Sequence, residues 1–103
     1  MKKGILLHEA SDDVGVAAID IQKGEELEAV TLEGKSVCFI KVNEDIPLGH
    51  KIAMRELNDG KHIQEYGRTI GAAVKDIRMG DHVHVHNIKS LRWSASKSKV
   101  LVE

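Results

Sequence analysis

Cysteine, proline and aromatic residues are nearly missing from this chain, which holds one Cys, one Pro, and Phe39, Tyr66 and Trp93 as its whole aromatic complement. A lone Cys38 excludes an internal disulfide and fits a reducing compartment, so it is read as a small buried apolar residue. With so few rings, the core has to be built from Ile, Val, Leu and Ala. Charge of one sign is missing too: 15 basic and 16 acidic residues leave a formal charge of −1. No broad positive field exists to hold nucleic acid or an anionic membrane surface, and neither is expected as a partner. No long hydrophobic run occurs either. Lys2 and Lys3 precede Ile5-Leu6-Leu7, but His8 and Glu9 end that run far short of a signal peptide or a spanning helix. The expectation is a soluble, cytoplasmic protein of one domain, burying roughly 60 to 70% of the surface of its unfolded chain.

What the chain does contain is a pattern of glycine turns. An apolar residue, two variable residues, glycine, two polar residues and a second apolar residue recur four times. The copies are Ile21 to Leu27 around Gly24, Ile46 to Ile52 around Gly49, Leu57 to Ile63 around Gly60, and Ile77 to Val83 around Gly80. Each predicts a strand-turn-strand junction, with glycine taking positive φ and the flanking apolar residues pinning both arms to a core. The glycines are unevenly spaced, which excludes a solenoid of fixed period.

Short β-rich runs lie between and beside these turns: Gly4 to His8, Val14 to Ile19, Leu27 to Leu32, Ser36 to Val42, Lys51 to Met54, His62 to Glu65 and Val83 to His86. The fold class is read as all-β, made of short bent strands, with at most one or two short helical turns near Ser11 to Val14 and Thr69 to Val74. The domain is placed at residues 1–87. Residues 88–103, basic and serine-rich between Lys89 and Lys99, are read as a flexible or partner-dependent extension.

Three constellations carry candidate chemistry. In His82-Val83-His84-Val85-His86-Asn87, strand alternation predicts the three imidazoles on one face and both valines on the other. Two imidazoles so spaced can converge on one metal ion, given a further ligand from elsewhere; a polar outer face, a substrate contact or a subunit contact explains the same pattern. Gly49-His50-Lys51 follows Pro47 on a turn and sets an acid/base group beside a fixed cation, an arrangement suited to a carboxylate-bearing substrate, or simply to solvent. Glu65-Tyr66-Gly67-Arg68-Thr69-Ile70-Gly71 brackets a phenol and a guanidinium with glycines, as a binding loop or as a tightly packed one.

Together these segments resemble one family, the N-terminal domain or separate small subunit of altronate and galactarate dehydratases and of sulfolactate sulfo-lyase. The resemblance is carried by His8 with Asp12-Asp13-Val14-Gly15-Val16-Ala17, then Ile46-Pro-Leu-Gly-His-Lys-Ile-Ala53, then Ile63-Gln-Glu-Tyr-Gly-Arg-Thr-Ile-Gly-Ala-Ala73, then Gly80-Asp-His-Val-His-Val-His-Asn87. The family usually shows Asp-Asn-Val where this chain has Asp12-Asp13-Val14. The resemblance implies a SAF-type β-clip fold. It also implies a lyase subunit that eliminates a leaving group β to a carboxylate after removal of the α proton, inactive by itself and completed by a large dehydratase or lyase subunit. By the same resemblance His50 and Lys51 are catalytic, Tyr66, Gly67 and Arg68 meet the hydroxy-acid substrate, and His84 and His86 meet a metal. That metal, iron or another divalent ion, is expected mainly on the large subunit. The alternative is a non-catalytic SAF-type module that binds a sugar acid or a partner protein. Exposed β edges leave self-pairing into a homo-oligomer open.

Overall fold

The computed structural model describes residues 2–94 and 98–102. Strands β1 (Ile5–Leu7), β2 (Val14–Ala17), β3 (Glu26–Thr31), β4 (Ser36–Lys41), β5 (Lys51–Ala53), β6 (His62–Glu65), β7 (Arg68–Ala73), β8 (His82–Val83), β9 (Ile88–Ser94) and β10 (Ser98–Val102) follow one another along the chain. One six-stranded sheet has the order β4-β3-β1-β2-β5-β8, and a four-stranded sheet has the order β10-β9-β7-β6. Neighbours are antiparallel except β1 and β3, which pair parallel with Ile5 opposite Ala29. The all-β expectation holds. Among the described residues no helix is long and apolar enough to cross a membrane.

The four glycine turns form as the repeats imply. Gly24, Gly49, Gly60 and Gly80 take φ of 89°, 87°, 89° and 91°, and all eight flanking apolar residues, from Ile21 and Leu27 to Ile77 and Val83, are buried. Each burial is worth roughly 1.5–3 kcal/mol, so the turns are pinned by the core rather than by local preference. What the repeat does not disclose is that the turns meet in pairs. Ile21 bridges Ile46 and Leu57 bridges Ile77. The acidic residue before the apolar one then serves the neighbouring turn: Asp20 accepts from Leu48 N–H, Asp45 from Lys23 N–H and Asp76 from Asp59 N–H, each at 2.8 Å.

The first pair of turns belongs to a core of Ile5, Leu7, Leu27, Ile40 and Ile52 with their neighbours, and half-buried Cys38 packs on its edge. Burial pushes the Cys38 thiol pKa up, with Arg55 opposing, which suits the packing role read for it. The second pair belongs to a smaller core of Val14, Ala53, Leu57, Ile63, Ala73, Ile77 and Val83. Strands β2 and β5 feed both cores, because alternate residues face opposite sides of the sheet.

Two local expectations are corrected. The helical piece expected around Thr69 to Val74 is strand β7, because pairing with β6 and β9 on its two sides overrides the weak helical preference of Thr-Ile-Gly-Ala-Ala. The strand expected through His86 ends at Val83, because Asn87 folds His84 to Asn87 into a turn; Val83 is 2% exposed but Val85 is 80% exposed, so the two valines do not share a face. Pairing also continues past Asn87: Ala73, Ala72 and Gly71 of β7 stand opposite Ile88, Lys89 and Ser90 of β9, and Ile88 packs on the second core. Of the extension read at 88–103, residues 95–97 and Glu103 lie outside the described residues.

Candidate functional site

β5 and β8 pair antiparallel, with Lys51 opposite Val83 and Ile52 opposite His82. His50, in the turn that enters β5, therefore comes beside β8, and its Nδ1 lies 2.9 Å from His82 Nε2. The turn after β8 returns His84 to the same place. Its ring centroid is 4.9 Å from His50 and 5.5 Å from His82, stacked on the latter at 8°. Buried Asn87 makes that turn, since its Oδ1 accepts from His84 N–H at 2.9 Å and its Nδ2 donates to the His82 carbonyl at 2.8 Å. Glu44 Oε2 accepts from His82 N–H at 3.0 Å. Burial, and then the charge of His50, depress the His82 pKa; Glu44 opposes, while His84 and His86 add to the depression.

The ligand atoms of His50, His82 and His84 all lie within 4.8 Å of one another. A three-imidazole donor set of this kind fits a first-row divalent ion. Of the pair His84 and His86 named from the sequence, His84 joins this cluster, while the ring of His86 lies 5.6 Å from His82 on its border. His50 is expected as an acid/base group beside the fixed cation of Lys51; in the structure His50 Nδ1 lies against His82, while Lys51 Nζ lies near Glu65 of β6.

Lys51 leads to a second centre. Its Nζ stands 4.0 Å from Glu65 Oε1, at the end of β6 and within the short β6–β7 hairpin. Two residues close that hairpin, Tyr66 at φ 62° and Gly67 at φ 71°, the I′ geometry that matches strand twist. Glycine accepts this region freely, whereas an L side chain there costs about 1–2 kcal/mol. Tyr66 is held by its surroundings: its N–H donates to Asp12 Oδ1 at 3.1 Å and its ring packs on that of His8. The adjacent Asp13 is paired with Arg55 at 2.9 Å and Lys61 at 3.6 Å, and accepts from Gln64 N–H. The Asp12-Asp13 motif thus anchors the hairpin, a role that sequence reasoning left unassigned because its partners lie some fifty positions away.

Glu65, Tyr66 and Arg68, with Ile70, line a cavity of about 490 Å³. Burial raises the Glu65 carboxyl pKa; Lys51 pulls it down, Asp12 raises it and His8 lowers it. Arg68, by contrast, is exposed and has no carboxylate partner among the described residues. Tyr66 and Arg68, taken from the sequence as substrate contacts, thus share a cavity, with Gly67 supplying the turn between them. Glu65 was missed as a site residue, although its place directly before Tyr66-Gly67 was the available signal. His82, from the same motif, joins the cluster beside His84.

Residues 2–91 match the altronate/galactarate dehydratase SAF domain family. The chain is 36% identical over 94 residues to the (2R)-sulfolactate sulfo-lyase subunit alpha of Chromohalobacter salexigens, covering 90% of this chain and 100% of that protein. It is 43% identical over 90 residues to the altronate dehydratase of Bacillus subtilis, covering 87% of this chain but 17% of that enzyme. A further subunit alpha, from Paracoccus pantotrophus, is 47% identical over 49 residues, 48% of this chain and 73% of that protein.

Proposed function

Because this chain belongs to the altronate/galactarate dehydratase SAF domain family, we propose that it is the small subunit of a two-part hydroxy-acid dehydratase or lyase and completes the active site of a separate large subunit. The observation that carries this reading is the full-length correspondence to a protein named as a subunit alpha, beside a match to only 17% of an altronate dehydratase. One domain thus occurs both as a separate polypeptide and fused to a larger enzyme.

The cavity on the β6–β7 hairpin supports the assignment of roles. The substrate is a hydroxy acid, and its carboxylate needs a cation with donors in a plane; the exposed Arg68 guanidinium offers such a fork. Tyr66, held in place by Asp12 and His8, presents a hydroxyl beside it. Glu65, whose proton affinity burial has raised, sits next to the Lys51 ammonium and is suited to hold or pass a proton while the α C–H bond breaks and the leaving group departs from the β carbon. A divalent metal, when bound, would stabilise negative charge developing on the substrate oxygens. Docking of the large subunit over the cavity would exclude water and strengthen each of these contacts.

The test is reconstitution. The purified chain is mixed with the large subunit, and elimination from altronate and from sulfolactate is followed for the mixture and for each part. Turnover is expected only from the mixture, and Arg68→Ala should lower kcat/KM by about 10- to 100-fold, the worth of a charge-assisted hydrogen bond. Full activity of the large subunit without this chain would refute the proposal.

A further inference from the structure

We propose that His50, His82 and His84 form a three-histidine site through which this chain binds one first-row transition-metal dication by itself. The inference does not depend on the chain being a lyase subunit. It rests on three features of the cluster.

The first is convergence from separate segments. His50 comes from the turn before β5, His82 from β8 and His84 from the turn after β8, yet their ligand atoms lie within 4.8 Å of one another. The 2.9 Å approach of His50 Nδ1 to His82 Nε2 is close to the separation of neighbouring nitrogens on one ion, since metal–nitrogen bonds of about 2.0–2.1 Å set cis donors roughly 3 Å apart. Small rotations of the exposed His84 ring bring in the third donor.

The second is the support behind the ligands. The β5–β8 ladder sets Lys51, the neighbour of His50, opposite Val83, which lies between His82 and His84. Glu44 holds the His82 N–H, while Asn87 holds the His82 carbonyl and the His84 N–H. Such outer contacts orient ligands before the ion arrives and cut the entropy lost on binding. Asn87 is buried and uses both ends of its amide in this way, which is more than a solvated polar face requires.

The third is the donor chemistry. Three neutral imidazoles select borderline ions such as Fe²⁺, Co²⁺, Ni²⁺ or Zn²⁺ over Mg²⁺ and Ca²⁺, which take oxygen ligands. Three protein ligands also leave coordination positions open, the arrangement of sites where an ion meets a further molecule rather than one that only holds a fold. His50 is therefore assigned to the metal, and not to acid/base work with Lys51.

The experiment uses the full chain, free of any affinity tag and stripped of metal by chelator, titrated with Co²⁺ and read by visible d–d absorption. One equivalent should bind, and Zn²⁺ should displace it. His50→Ala, His82→Ala and His84→Ala should each weaken binding by at least about 10-fold, whereas His62→Ala and His86→Ala should stay within about twofold of the parent. His50→Gln is the second variant should His50→Ala unfold, with circular dichroism as the check. Two results would overturn the site: no saturable Co²⁺ absorption, or binding that survives loss of His50 but fails with His86. Since the readout is spectroscopic, either result leaves the two-subunit reading to be judged by reconstitution alone.

Discussion

Glu65 and Tyr66 illustrate how much of this protein's chemistry is decided one residue at a time. Burial raises the Glu65 pKa above the ordinary glutamate value, so the folded state binds more protons than the unfolded chain between the unfolded and the folded pKa. Stability from this group is therefore complete below the unfolded value and is lost as pH rises through the folded one. Glu65→Gln imitates the protonated acid at every pH. Urea titrations should show little difference between variant and parent at pH 4 and a relative gain for the variant at pH 7; a constant difference would mean that Glu65 titrates alike in both states. Tyr66 was legible as a loop residue because a glycine follows it. Its strained φ and its restraint by Asp12 were not, since the cap comes from a residue 54 positions away.

At the level of elements, the glycine turns were the most readable part of the chain, because apolar-x-x-Gly-x-x-apolar carries both the conformational and the burial requirement in seven residues. Two of these glycines differ in a way that only packing discloses. A Cβ on Gly80 would lie 2.5 Å from the Lys41 carbonyl oxygen, whereas one on Gly60 meets nothing within 4 Å. Both hold positive φ, so Gly60→Ala should cost about 1–2 kcal/mol for the conformation alone. Gly80→Ala should cost more, because Gly80 O accepts from Asn43 N–H and that contact must open to relieve the clash. Denaturant midpoints of the two variants decide, and equal losses would mean that the backbone approach is soft. The His82 to His86 strand shows the opposite case. Its alternation was clear in the sequence, but Asn87 ends the strand at Val83 and trades three histidines on one face for a cluster joined by His50.

For the whole molecule, the six-stranded and four-stranded sheets each depend on pairings between distant segments: β1 with β3 in parallel, β5 with β8, and β7 with β9. The last makes residues beyond Asn87 matter to the fold. A chain ending at Asn87 would lose the β9 ladder and the packing of Ile88 on the second core, and its melting temperature should fall by about 5–10 °C, as a loss of 1–2 kcal/mol does in a domain of this size. An unchanged melting temperature would support reading residues 88–103 as an independent extension. The sequence by itself determined the all-β class, the four turns and the family, since these follow from short-range patterns of glycine and burial that every strand and turn must satisfy locally. Only the tertiary structure decided that the turns pair, that Lys51 turns to Glu65 while His50 turns to His82 and His84, and that Asp12 holds Tyr66. Those contacts join residues roughly 15 to 55 positions apart, and no local propensity encodes which distant side chain will fill a given neighbour's hydrogen bond.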